Sequence, residues 1–296
     1  MRALLARLGL NGRTLVIAVP MVWLLVFFLI PFLVVLKISV AEPLIARPPY
    51  SPLFVDGAIK ATFSNYAYLW QDALYINAYL SSIKIAFFAT VLALLIGYPM
   101  AYYIARSAEP KRSLLLLLIV LPFWTSFLLR VYAWIGILKT KGILNLILMK
   151  IGVISEPLII MQTDIAVYIG IVYTYLPFMI LPLYANLVKL DDSLLEASTD
   201  LGARPVTTFI KITLPLSLPG IIAGSMLVFI PAIGEFVIPA LLGGPDTLMI
   251  GKILWSEFFS NRDWPVASAV AIAMLVLLVI PIMLLRMAEG KQGAAT

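Results

Sequence analysis

The chain has 296 residues, of which 62% are hydrophobic and only 12% are Asp, Glu, Lys or Arg, against roughly 25% charged in an ordinary soluble domain. A soluble fold of this size cannot hide so much apolar surface, which excludes a soluble enzyme, a secreted disulfide scaffold and a nucleic-acid-binding domain and points to an integral membrane protein. Cysteine and histidine are absent and the net charge is +6, so thiol nucleophiles, Cys or His metal ligands and Ser-His-Asp chemistry are excluded, and the basic residues read as flanks of membrane spans.

Six stretches have the roughly 20 mostly apolar residues that cross a bilayer: 14–37, 79–105, 114–138, 165–188, 214–241 and 264–286. The expected fold class is therefore all-α integral membrane with six transmembrane helices. The first stretch follows Arg2, Arg7 and Arg13 and precedes Ser39-Val40-Ala41, which loosely resembles a signal cleavage site. Its apolar run exceeds the roughly 7–15 residues of a signal core, so it reads as a retained span. Segment 38–78 follows, rich in proline and aromatics; like segment 242–263, it is either an interfacial belt or a docking surface for a partner. The organisation expected is an N-terminal part over 1–78, a membrane-embedded core over 79–286 and a tail over 287–296.

Arg106, Lys111 and Arg112 crowd the turn between spans two and three. Basic residues mark the cytoplasmic side, which places both termini in the cytoplasm. Span three carries Trp124, Arg130 and Tyr132; Arg130 either snorkels or pairs. Span four opens at Asp164, which either attracts cations at an entrance or caps the helix. It carries Tyr168, Tyr173 and Tyr175, whose faces can take an ammonium group.

Residues 189–215 predict two short helices. Ser193 and Glu196 have capping-box spacing, Gly202 is placed to end the first helix in a left-handed conformation, Pro205 can open the second, and Pro215 marks entry into span five. The exposed helix-turn-helix either lies on the membrane surface or inserts into a groove on a partner. Span five is rich in breakers, with Pro219, Gly220, Gly224, Pro231, Gly234 and Pro239, and holds the acid Glu235. Because burial of an intramembrane carboxylate is costly, it marks a functional position by default; the alternative is a structural Glu paired with Arg130 or hydrogen-bonded at a subunit interface.

Glu196, Ala197, Ser198, Gly202, Ile212, Leu214 and Pro215 stand at the spacing Glu-Ala-Ala, three residues, Gly, nine residues, Ile-x-Leu-Pro. The segment resembles the EAA loop of binding-protein-dependent ABC importer permeases, with Ser198 in place of the second Ala. Leu121–Ser126, Gly234–Pro239, Leu241–Asp246 and Asn261–Pro265 resemble polyamine importer permeases, closest to those for putrescine, with spermidine/putrescine permeases as near relatives.

The resemblance implies a type I ABC importer permease fold in the bacterial inner membrane, with a cytoplasmic coupling helix. Its implied partners are a second homologous permease, two ATPase subunits and a periplasmic polyamine-binding protein, with lipid around the spans and no nucleic acid. Coupling falls to Glu196, Ala197, Ser198, Gly202 and Arg204. The substrate path falls to Glu235, Trp124, Tyr132, Asp164 and Tyr173. The chain is expected to be no enzyme and to hold no cofactor. Gly251-Lys252 follows Asp246 where a P-loop needs glycine and precedes Ile253, so ATP and Mg would be bound by the ATPase partner. The competing reading, a stand-alone secondary transporter or channel for organic cations, predicts broken helices at matching positions of a repeat. The breakers concentrate in span five without an obvious counterpart.

Overall fold

The computed structural model describes residues 12–55 and 57–293. Arg2 and Arg7, and residues 294–296 of the tail, lie outside them, as do the side chains of Arg13, Arg286 and Lys291.

The chain is helical almost throughout. Helix α1 (Gly12–Leu24) passes through a π turn, Leu25–Leu29, into α2 (Ile30–Ser39). Pro31 explains the π turn: its ring clashes with the carbonyl four residues back and it brings no N–H, so the ladder widens just before it. A two-residue hairpin follows, β1 (Phe54–Val55) antiparallel to β2 (Ala58–Ile59), with Phe54 opposite Ile59. Next come α3 (Ser64–Gln71), the 33-residue α4 (Ala73–Ala105), α5 (Lys111–Val120), a 3-10 turn Leu121–Trp124, α6 (Phe127–Leu138) and α7 (Ile143–Lys150). After α8 (Asp164–Leu187) come α9 (Asp192–Asp200), α10 (Pro205–Thr208), a π turn Phe209–Thr213, α11 (Leu214–Leu216), α12 (Leu218–Ile233) and α13 (Val237–Leu241). The chain closes with α14 (Ile250–Trp255), a π turn Ser256–Asn261 and α15 (Trp264–Gly293).

Among the described residues, four helical runs are long and apolar enough to cross a membrane: Val16–Ser39, Ala73–Ala105, Phe127–Lys150 and Asp164–Leu187. Pro205–Leu216 and Leu218–Ile233 make a fifth if taken together, but they are bent by 65°. In α15 the apolar stretch is Trp264–Val279. Spans one, two and four thus lie close to where the sequence predicts them. Span three, expected over 114–138, is interrupted: Pro122 sits in the 3-10 turn, and Thr125 and Ser126 are extended, with ψ of 150° and 137°. Span five, expected over 214–241 and rich in breakers, is interrupted twice, at Ser217 and at Gly234–Phe236. Pro215 and Pro219 remove ladder donors on either side of the first break; there Ser217 Oγ donates to the Leu214 carbonyl at 2.9 Å.

The contacts group the chain into two units. One contains the residues up to Ala73 together with those from Leu254 onward; the other is Leu74–Ile253. In the first, α15 packs on α2 and α3. Buried Asn65 donates to the carbonyls of Ser39 and Ala41 at 2.9 and 2.8 Å, tying α3 to the end of α2. No side chain from Val16 to Lys37 is buried, and Trp70 and Phe63 are also exposed.

In the second unit α8 lies against α12, and glycines set the approach. A Cβ on Gly224 would stand 2.9 Å from the Met179 carbonyl oxygen, and one on Gly220 would stand 2.8 Å from Asn186 Cβ. Gly220 and Gly224 are one turn apart, the small-xxx-small spacing that lets membrane helices touch by their backbones. Gly170 plays the same part beneath Ile238 of α13 and Leu242 just after it.

Candidate functional site

The helix-turn-helix between α8 and α12 is present and is built from its own sequence. Asp191 has an extended backbone, and its carboxylate accepts from Ser193 N at 2.9 Å, satisfying one of the amides that a helix start leaves open. That bond to Ser193 holds the Asp191 carboxyl below its ordinary value. The capping box expected from Ser193 and Glu196 is therefore corrected: Asp191 caps two residues earlier, α9 begins at Asp192, and Glu196 is exposed. The physical reason is that an acid placed first takes the N-terminal amides and gains from the helix dipole.

The far end of α9 closes as expected. Gly202 has φ +77°, its N–H bonds the Thr199 carbonyl at 2.8 Å, and Ala203 N bonds the Ser198 carbonyl at 3.1 Å, the two bonds of a Schellman motif. A Cβ on Gly202 would meet nothing within 4 Å, so the glycine is there for its backbone angle and not for space. Pro205 opens α10 with Arg204 as its N-cap residue.

Ser198 is the buried member of α9, and its hydroxyl shares a 2.8 Å hydrogen bond with Thr208 Oγ1. The serine that departs from the loop pattern thus links the two short helices. Ala197, Leu201 and Val206 stay exposed around the turn, Leu201 at 88%, and Arg204 is exposed beside them. They form a small apolar rim with a basic residue at its edge.

The second site is the break in span five. Glu235 is 8% exposed. Its Oε1 accepts from the backbone N–H groups of Phe236, Val237 and Ile238 at 3.1, 2.9 and 3.4 Å, and its Oε2 accepts from the Tyr175 hydroxyl at 2.6 Å. The carboxylate holds the start of α13, where backbone amides and the dipole both favour a negative charge. Gly251 of α14 completes the break: a Cβ there would stand 2.4 Å from the Gly234 carbonyl oxygen.

Arg130, the other partner considered for Glu235, lies elsewhere, over the rings of Phe123 and Phe127 at 5.5 and 5.9 Å. Its Nε and Nη1 are buried and bond nothing in the described chain.

The remaining path candidates do not converge on one point. Tyr173 meets Trp134 edge-on at 5.3 Å. Trp124, at the break after α5, and Tyr132 on α6 are 77% and 55% exposed. Asp164 is the first residue of α8 and not its N-cap, which is Thr163; its Oδ1 accepts from Thr247 Oγ1 at 2.7 Å. That contact anchors the loop before α14. Tyr175, read from sequence only as a stacking surface, is the residue brought onto Glu235.

Comparison with known proteins gives the family. Residues 96–290 match the family described as binding-protein-dependent transport system inner membrane component. The chain belongs to that family. It is 44% identical over 270 residues to the spermidine/putrescine transport system permease protein PotB of Haemophilus influenzae, covering 90% of both chains. It is 43% identical over 256 residues to the PotB of Escherichia coli, covering 86% of this chain and 90% of the relative. Among solved structures it shares its fold with a chain of a bacterial ABC transporter that imports alginate, with TM-score 0.68, 18% identity and coverage of 98% and 99%. The resemblance to ABC importer permeases of the polyamine group, first drawn from the loop and the span-five motifs, is borne out. The protein is a multi-pass membrane transport component whose relatives are permease proteins.

Proposed function

We propose that this chain is the transmembrane permease subunit of an ATP-driven polyamine importer for putrescine, with spermidine as a second substrate of the same path. The observation that carries the reading is the exposed helix-turn-helix with left-handed Gly202, at family spacing, in a chain whose relatives are named for these two polyamines. The subunit lies in the inner membrane with six spans and both termini in the cytoplasm. It pairs with a homologous second permease, receives substrate from a periplasmic binding protein and rests on two ATPase subunits. It holds no cofactor of its own, ATP and Mg being bound by the ATPase.

Glu196, Ala197, Ser198, Gly202 and Arg204 form the coupling face, on which nucleotide-driven closure of the ATPases becomes rigid-body rocking of the spans. The substrate path runs by Glu235, Trp124, Tyr132, Asp164 and Tyr173. Breaks in spans three and five support this path, since irregular backbone at membrane depth is tolerated where it lines a cavity or is buried in protein. Negative charge and aromatic faces there suit a flexible dication.

The break at Leu121–Ser126 also gives some support to the stand-alone transporter reading, which asks for matched broken helices. That reading leaves the helix-turn-helix without a task. Two experiments separate them. Co-purification of the chain with an ATPase subunit is expected. Glu196→Lys and Gly202→Asp are expected to abolish uptake while the protein stays in the membrane, and normal uptake by both would remove the coupling assignment. Competition between putrescine and spermidine for uptake by the reconstituted complex measures the substrate preference.

A further inference from the structure

Two side chains at the end of α4 reach the two ends of the helix-turn-helix. Arg106, one residue past α4, forms an ion pair with Asp192 in the first turn of α9. Its Nη1 also lies 3.5 Å from the Leu190 carbonyl oxygen, and its guanidinium sits over the Tyr102 ring at 5.7 Å. The Arg106 side chain is 22% exposed and that of Asp192 72%, so the pair is rooted on the α4 side and open on the α9 side. Two turns earlier, about 12 Å along the helix, buried Tyr98 shares a 2.8 Å hydrogen bond with Ser217 Oγ and meets the Phe209 ring edge-on at 5.5 Å. Phe209 follows α10, and Ser217 is the bend at which α12 begins.

Between these attachments the segment is stiff. The Schellman closure at Gly202 and the Ser198–Thr208 bond join α9 to α10. A push on α9 has a covalent route into α8 and α11. It enters α4 only through side chains.

We propose that Arg106 and Tyr98 are positioning residues that transmit displacement of the helix-turn-helix into α4, so that one long span moves with the coupling segment. Arg106 acts by a charge-assisted hydrogen bond, stronger than a neutral one and fixed in geometry. Tyr98 acts by a buried one, where no water competes. Arg106, read from sequence as a mark of topology, thereby becomes part of the coupling device. The inference rests on the ABC permease reading above.

The test uses the whole complex, with second permease, ATPase subunits and binding protein, reconstituted in liposomes with putrescine. The readout is putrescine taken up per ATP hydrolysed. Arg106→Gln and Asp192→Asn are each expected to lower this ratio about threefold, the scale of a half-exposed ion pair, in complexes that still co-purify with the ATPase. Tyr98→Phe keeps the ring and is expected to lower it about fivefold, the scale of one buried neutral hydrogen bond. The reversed pair, Arg106→Asp with Asp192→Arg, is expected to recover ratio that each reversal alone loses, which a purely structural effect at either residue would not do. Wild-type ratios in both Arg106→Gln and Tyr98→Phe, or a reversed pair no better than the worse single variant, would overturn the proposal. A wild-type complex that takes up no polyamine overturns the functional reading and this inference with it, and that pattern differs from a failure of the two residues alone.

Discussion

Asp191 and Glu235 each put a carboxylate on the open amides at the start of a helix, in opposite surroundings. Asp191 is exposed and holds α9 by one bond to Ser193. Glu235 is buried, receives three backbone amides and the Tyr175 hydroxyl, and stands in a break of an apolar helix. At the surface water stands ready to replace the cap, so the helix can be loosened at small cost. Inside, nothing replaces it, so the same chemistry becomes a fixed point of the fold. A segment proposed to move with a partner and a break that holds its shape would differ in the way these two do.

Removing Glu235 should give the largest effect. Glu235→Ala leaves a tyrosine hydroxyl and amide donors buried without an acceptor, at roughly 1–3 kcal/mol for each donor left unpaired. The variant is expected to lose most of its abundance in the membrane and to melt far lower in detergent. Glu235→Gln separates structure from charge. Its carbonyl oxygen can still accept from the amides of α13, and its NH₂ can donate to Tyr175 Oη. This variant is expected to stay abundant and to lose polyamine uptake. Unchanged uptake would leave Glu235 a purely structural cap and take it out of the substrate path.

Gly251→Ala strikes the same break from the other side. The new methyl would stand 2.4 Å from the Gly234 carbonyl oxygen, which no rotamer can relieve, and overpacking of this kind costs about 1–3 kcal/mol. A thermal shift in the purified protein measures it. In the helix-turn-helix, Gly202→Val adds no clash and only forces a β-branched residue to φ +77°, at about 1–2 kcal/mol. Abundance should fall little and uptake should fall sharply, because the turn that aims the proposed coupling face is distorted. Gly202→Asn, which tolerates left-handed backbone, is expected to retain most uptake. Equal losses in the two variants would mean that the position matters for something other than its angle.

The helix-turn-helix was the most legible part of the chain because its signals are local. Gly202, Pro205 and the acids before α9 lie within fifteen residues, and cap, turn and restart follow from their order. The error there was equally local: two acids preceded the serine, and the first of them took the cap. Span limits were legible from apolar length, whereas the breaks at Thr125, Ser217 and Phe236 were not, since proline marks where a helix can break without saying how its freed groups are met. Ser217 and Glu235 meet them here. The partners Tyr175–Glu235, Tyr98–Ser217 and Arg106–Asp192 are 60, 119 and 86 residues apart, and no spacing rule joins them. Gly220 and Gly224 carry a readable signal, the one-turn interval of a close helix contact, but among the many breakers of span five that interval does not stand out.

The smallest expected effect belongs to Asp191, and its sign follows from linkage. The bond to Ser193 holds the folded carboxyl below its ordinary value, so the folded form binds its proton less readily than the unfolded one. Its contribution to α9 is therefore present above the ordinary Asp range, near pH 4, and is lost as pH falls through the lowered folded value. Amide exchange of Ser193 and its neighbours, followed from neutral pH downward, should show protection that weakens only in that acid window. Asp191→Asn keeps an oxygen able to accept from Ser193 but cannot titrate, so its exchange should lack this pH-linked loss. Glu235→Gln should leave the Ser193 profile unchanged. An acid loss of protection that persists unchanged in Asp191→Asn would mean that the Asp191 cap is not its source.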